Sequence, residues 1–355
     1  MSRQTASCCL WFLPSASSEH MDAKSLGKSS AARVIVIRLA FIVLILMLAL
    51  GVMVWRQPLW VGKEITLFRL LAAGFHKRSM AIDGYHVFCL EGGPESGSPV
   101  VLIHGLGSEA QQDWVALAPY LVRAGYHVYA MDLLGYGRSA KPSELTYSIS
   151  EEAKFVESFL DAKHLTSVAL GGASMGGWIA AKVALDRPDL VALLMLFDSA
   201  GMKFQLSFDQ AIFTPQTEQQ VDQLMAVVTP GAPRLPQFVK ADFIRKSKRD
   251  GWVVQRALAS MTSGADDLDE KFSAVKMPLL IVWGKDDVMT PLWLGEAMHR
   301  AAPQSVLAVY DGCGHIAVVT CMNEIVPTVI SFLSGKGAEP GKTIEVPAQK
   351  HFLMP

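Results

Sequence analysis

Five residues, Gly172-Ala173-Ser174-Met175-Gly176, followed by Gly177, place a serine between glycines in a G-x-S-x-G pattern. An apolar run, Val168 to Gly171, precedes it, and a helix-like run, Trp178 to Ala184, follows. A serine on a sharp strand-to-helix turn is exposed and strained, with a positive φ expected and small neighbours letting strand and helix approach. Such strain costs stability, which points to a reactive hydroxyl rather than a packing one. The plain alternative is a glycine-rich turn joining a strand to a helix.

A serine nucleophile needs a base to take its proton, and the base needs an acid to orient it. Of nine histidines, His315 in Asp311-Gly312-Cys313-Gly314-His315 is placed best, after the last long apolar run and before the final helical one. There a loop side chain reaches the carboxyl edge of a parallel sheet. The acid candidates are Asp287 and Asp286, both in Trp283 to Pro291, with Asp198 as a rival after the preceding run. Asp287 is preferred, and the others are then loop or helix-capping residues. The oxyanion of an acyl-transfer intermediate needs two donors. The backbone N–H groups of Met175 and of Leu106, in His104-Gly105-Leu106-Gly107, are the expected pair. His104 is expected to structure its loop. Ser199, in Asp198-Ser199-Ala200-Gly201, is a decoy, because Phe197 stands where the first glycine belongs. Asp132 to Ser139 contains glycines but not G-x-G-x-x-G spacing, so it reads as a loop rimming the site rather than a dinucleotide loop.

These residues need a scaffold that brings distant loops to one edge. Short apolar runs near 99–103, 127–131, 168–172, 191–197, 278–283 and 305–310 alternate with helical patterns near 112–123, 150–163, 175–186, 292–301 and 322–334. That rhythm predicts an α/β fold with a mostly parallel sheet and helices on both faces. Residues 79–91 read as a hairpin around Asp83-Gly84. The alternation breaks over 202–272, a stretch richer in polar residues and prolines that reads as an insertion between core segments 78–201 and 273–334. Residues 335–355 show little periodicity and predict a disordered tail.

The chain has 355 residues and a formal net charge of −1, so composition does not suggest nucleic-acid binding. Five cysteines include no C-x-x-C pair, and mostly free thiols are expected, with Cys313 and Cys321 able to pair only if geometry allows. Leu39 to Trp55 holds 17 residues without a charge, a rise of roughly 26 Å as a helix. With Val34 to Ile37, and Arg38 snorkelling, it predicts a membrane anchor over 34–55. A signal peptide or a buried helix are the alternatives, but the run is long for the first and no small-x-small cleavage site follows. Residues 1–33 read as a disordered N-terminal segment in which Met21 is an alternative start, and 56–77 as an interfacial connector. Lys24, Lys28, Arg33 and Arg38 before the uncharged run 39–55 slightly outnumber Arg56, Lys63 and Arg69 after it. The excess favours a catalytic domain on the non-cytoplasmic side.

Taken together, His104 to Gly107, Asp132 to Ser139, Gly172 to Gly177, Trp283-Gly284 with Asp287 and Pro291, and Gly312 to His315 resemble the α/β-hydrolase-fold serine hydrolases, over about 79–334. The resemblance implies a Ser174–Asp287–His315 triad, a cap at 202–272, and no metal or organic cofactor. An anchor beside a Ser-Met-Gly-Gly elbow is similar to membrane-bound monoacylglycerol lipase-type esterases. That implies a membrane-associated serine esterase or lipase acting on an acyl ester. The elbow also resembles the C–C hydrolases of meta-cleavage products. A further alternative is a catalytically silent, membrane-tethered binding module. Ala317, where many relatives carry proline, departs from the pattern and leaves the triad intact.

Overall fold

A computed structural model describes residues 23–350. The chain divides into two units, Met1–Met53 and Val54–Pro355. In the first, helix α1 (Ala23–Arg56) begins, and its Arg33–Arg56 stretch is 24 residues long, apolar and 0% buried. The expected anchor at 34–55 lies within this helix. The expected disordered segment 1–33 falls mostly outside the described residues, but from Ala23 onward the chain is helical rather than disordered.

The second unit opens with α2 (Pro58–Ala72), started by a proline whose missing N–H costs nothing in the first turn. The hairpin β1 (Phe75–Ile82) and β2 (Tyr85–Gly92) follows. Asp83 and Gly84 both take positive φ, 50° and 83°, the two-residue turn that an Asp-Gly pair favours. Then come β3 (Pro99–Ile103), α3 (Ala110–Trp114), α4 (Ala118–Arg123), β4 (His127–Met131), α5 (Ile149–Ala162), β5 (Val168–Ala173), α6 (Met175–Asp186) and β6 (Val191–Phe197). The single helix expected at 112–123 is two short ones, because Pro119 seeds a new start. The insertion carries α7 (Glu218–Val228) and α8 (Gln237–Met261). The core resumes with β7 (Leu279–Gly284), α9 (Trp293–Ala301), β8 (Val306–Asp311), α10 (Ala317–Thr320) and α11 (Met322–Leu333).

With a last strand, β9 (Thr343–Pro347), the described residues form a nine-stranded sheet in the order β1-β2-β4-β3-β5-β6-β7-β8-β9. It is antiparallel at β1/β2 and β2/β4 and parallel elsewhere. Strands β4 and β7 are buried along their whole length, as strands covered on both faces must be. On one face Val101, Leu170 and Leu196 pack with Phe155, Trp178 and Leu294 of α5, α6 and α9. On the other, Leu102, Met195 and Val282 pack with Trp114, Leu121 and Ile325 of α3, α4 and α11. The sheet order brings the loops after β3, β5, β6, β7 and β8 to one carboxyl edge.

Two expectations are corrected. The tail at 335–355 is not simply disordered: Thr343–Pro347 forms β9 and pairs parallel with β8. Ile344 and Val346 face inward and half-bury against the core, too short an alternation to read from sequence. Residues 351–355 lie outside the description. Cys313 and Cys321 are not free but bonded to one another, with Cα atoms 6.3 Å apart. The short α10 turns the chain back on itself and supplies that proximity. Cys89 is a free, buried thiol, and Cys8 and Cys9 lie outside the described residues.

Candidate active site

Ser174 sits between β5 and α6 with φ 52° and ψ −117°. No side chain relieves this strain; the surrounding glycines permit it. A Cβ on Gly172 would stand 2.1 Å from the Gly176 carbonyl oxygen, and one on Gly176 2.3 Å from that of Ile103. Only hydrogen fits there, so the glycines let strand, turn and helix interlock. The turn is tied down by the Ser174 N–H, which donates to the Phe197 carbonyl at 2.9 Å, and by the Ser174 carbonyl, which accepts from Ala200 N–H at 3.1 Å.

The Ser174 hydroxyl lies 2.9 Å from His315 Nε2, and His315 Nδ1 lies 2.8 Å from Asp287 Oδ2. The structure thus brings together the three residues singled out from sequence, across 141 and 28 positions of chain. The His315 and Asp287 side chains are 5% and 0% exposed, so water does not compete for their contact. Asp287 is also held by Met289 N–H at 2.8 Å and Thr290 N–H at 3.0 Å on its other oxygen. The Thr290 hydroxyl donates to Asp287 Oδ2 at 2.7 Å and lies 3.1 Å from His315 Nδ1. Sequence reasoning missed Thr290. Its position three residues after the acid, in a loop with no periodicity, gave only the weak signal of a short Asx-type turn.

The rival acids occupy other places. Asp286 is exposed and lies 3.4 Å from Lys350 Nζ. Asp198 is buried behind the site and accepts from backbone N–H groups of Gly284 at 2.7 Å and Ala317 at 3.3 Å. Burial, and then repulsion from Asp287, pushes its carboxyl well above the ordinary range. Ser199, the decoy, packs against Gly177 and donates to the Ala200 carbonyl at 2.7 Å.

Two loops complete the edge. Met175 is the first residue of α6, where backbone N–H groups have no intrahelical partner. Leu106 follows Gly105, whose Cα region lies against Ser174: a Cβ there would be 3.4 Å from the Ser174 Cβ. Met175 thus directly follows the serine, and Leu106 lines the same cavity as Ser174. His104 is buried; its Nδ1 lies 2.8 Å from the Gly105 carbonyl, and its Nε2 accepts from Leu133 N–H at 3.1 Å. Asp132 accepts from Ala110 N–H at 2.9 Å and Arg138 N–H at 2.8 Å. Histidine and aspartate thus hold the two rim loops against each other.

Ser174 and His315 open into a cavity of about 1140 Å³ under the insertion. Phe204, Phe208, Phe213, Leu224 and Val254 from the insertion, with Val318 from α10, give it an apolar wall. Another wall is charged. There Lys246 of α8 donates to the Gly107 carbonyl at 3.0 Å, and burial pushes its ammonium down to about 8.

The alpha/beta hydrolase fold family matches residues 98–320. Lipase 1 of Psychrobacter immobilis is 29% identical over 257 residues, 69% of this chain and 79% of that one. The 2-hydroxy-6-oxo-6-(2'-aminophenyl)hexa-2,4-dienoic acid hydrolase of Metapseudomonas resinovorans is 28% identical over 273 residues, 74% of this chain and 92% of its own length. Among solved structures, a membrane phospholipase A described as a bacterial virulence factor superposes with a TM-score of 0.71 at 26% identity, covering 84% of this chain and 98% of that one.

Proposed function

This chain belongs to the alpha/beta hydrolase fold family, and we propose that it is a carboxylic ester hydrolase that works through Ser174, His315 and Asp287. The observation that carries this reading is the unbroken relay, 2.9 Å and 2.8 Å long, at the floor of a capped cavity. His315 Nε2 takes the Ser174 proton as Oγ attacks the ester carbonyl. The oxyanion that forms meets the N–H groups of Met175 and Leu106, each such donor lowering the barrier by roughly 2.7–4 kcal/mol. His315 then gives its proton to the leaving alcohol. Water, activated by the same imidazole, releases the acid from the acyl-Ser174 intermediate. Asp287 keeps the Nδ1 proton in place and stabilises the imidazolium.

The apolar wall suits an acyl ester with a hydrophobic chain, such as a monoacylglycerol, and the named lipase relative supports a lipid ester. A second reading has one specific support, the extent of the match to a C–C hydrolase. One panel separates them: p-nitrophenyl esters, monoacylglycerols and ring-cleavage products given to the full chain in detergent. Turnover of the first two and not the third is expected. Turnover of ring-cleavage products alone replaces this reading with the second, and no turnover with no probe labelling replaces both with a silent binding module.

We read α1 as a single-pass anchor, supported by its long, exposed apolar stretch. The Cys313–Cys321 bond supports a catalytic domain on the oxidising, non-cytoplasmic side, since disulfides persist in such compartments. A C-terminal reporter that works only outside the cytoplasm is expected to be active. A signal from a cytosol-dependent reporter at that end refutes the orientation.

A further inference from the structure

The charged wall of the cavity holds more positive charge than its own carboxylates engage. Glu109 is taken by Lys63 and by Gln111 Nε2–H at 2.6 Å. Asp250 is taken by Arg249, through Nε at 3.1 Å and Nη2 at 2.9 Å. Asp113, also on this side, is held by Gly105 N–H at 2.8 Å and by the Ser108 hydroxyl. Lys246 and Lys141 line the same cavity. Among the described residues, neither is ion-paired. Lys246 meets only the Gly107 carbonyl, and Lys141 only those of Gly135 at 3.1 Å and Gly137 at 3.3 Å.

An ammonium has three donors and a full charge. Glu109 and Asp250 lie near enough to favour both ammoniums but pair with Lys63 and Arg249 instead, and carbonyl oxygens satisfy donors without neutralising charge, so withdrawal from water is costly. Both lysines are partly withdrawn, and burial lowers the proton affinity of each. Gly107 is the residue after Leu106, so Lys246 stands beside the oxyanion loop. An ester carbonyl at Ser174, with its acyl chain on the aromatic wall, leaves its alcohol side free to turn towards the lysines. Hydroxyls of a neutral glyceride would fill donor positions there and leave the charge. A phosphate would supply charge-assisted bonds, roughly twice as strong as neutral ones.

Resting on the ester-hydrolase reading of Ser174, we propose that Lys246 and Lys141 form a phosphate-accepting subsite, and that the substrate is an acyl ester of a glycerophosphate headgroup. The test uses the full chain in mixed micelles with lysophosphatidylglycerol, lysophosphatidylcholine and a monoacylglycerol of the same acyl chain. The wild type is expected to favour the two phosphate esters. In Lys246→Met and Lys141→Met, the ratio of kcat/KM for phosphate ester over monoacylglycerol is expected to fall about tenfold, chiefly through KM, the loss of roughly one charge-assisted contact. Lys246→Arg should keep the ratio. A ratio unchanged while all three substrates fall in parallel overturns the proposal, since the lysines then only brace the loops. So does a wild type that prefers the monoacylglycerol. Hydrolysis of p-nitrophenyl butyrate by the wild type keeps the two readings apart: its absence defeats the ester-hydrolase reading itself, whereas its presence beside a failed ratio defeats only the subsite.

Discussion

Ser174→Ala is expected to lower kcat for any ester substrate by about 10⁴- to 10⁶-fold and to abolish labelling by a fluorophosphonate probe. The reason is covalent. Without Oγ there is no acyl-enzyme, and the proposed oxyanion donors at Met175 and Leu106 could only assist direct attack by water. The substitution should not unfold the protein. The hydroxyl's hydrogen bond is to His315, while the elbow's backbone is held by the Phe197 carbonyl and the Ala200 N–H. The strained φ of 52° remains with any L-residue, so alanine adds little further strain. Wild-type thermal stability with lost labelling is the expected pair of results. Full labelling of a folded Ser174→Ala protein would move the nucleophile elsewhere and end the assignment.

The second large effect is the contrast between two aspartates. Asp287→Asn should cost about 10⁴-fold in kcat, the size that loss of the correct tautomer has in serine proteases. The Asn oxygen can still accept from Met289 and Thr290 N–H, as Asp287 Oδ1 does. Its amide then points at His315 Nδ1 and favours the tautomer with the proton on Nε2, which cannot take one from Ser174. Asp198→Asn should cost less than about tenfold, because Asp287 and not Asp198 meets the His315 imidazole. Asp198 makes no hydrogen bond to His315, only to backbone N–H groups. Both variants would be compared in kcat on one ester, with folding checked by thermal melting. Equal losses, or the larger loss at Asp198, would mean that the wrong carboxylate has been assigned to the imidazole.

The local signals in this chain were strong where sterics act over a few residues. Gly172 and Gly176 flank the serine because no Cβ fits beside the carbonyls they face, and that requirement is written in the motif. The apolar runs that became β3 to β8 are legible because a strand covered on both faces must be apolar throughout. The Asp83-Gly84 turn is legible because few other pairs take two positive φ values. The Cys313–Cys321 bond was not legible, since pairing depended on how α10 folds back. Strand β9 was missed because two inward residues, Ile344 and Val346, make too short a period.

By itself, then, the sequence determined the elbow, the βα rhythm, the position of the insertion and the apolar N-terminal span, all consequences of backbone sterics and burial along a contiguous stretch. Only the tertiary structure decided which carboxyl faces His315, that Thr290 stands beside that pair, and that Lys246 and Lys141 share a cavity with Ser174 without ion pairs of their own among the described residues. Those relations join residues far apart in the chain. They are fixed by the order of strands in the sheet and by how the insertion closes over its carboxyl edge, and neither leaves a periodic trace in the residues it brings together.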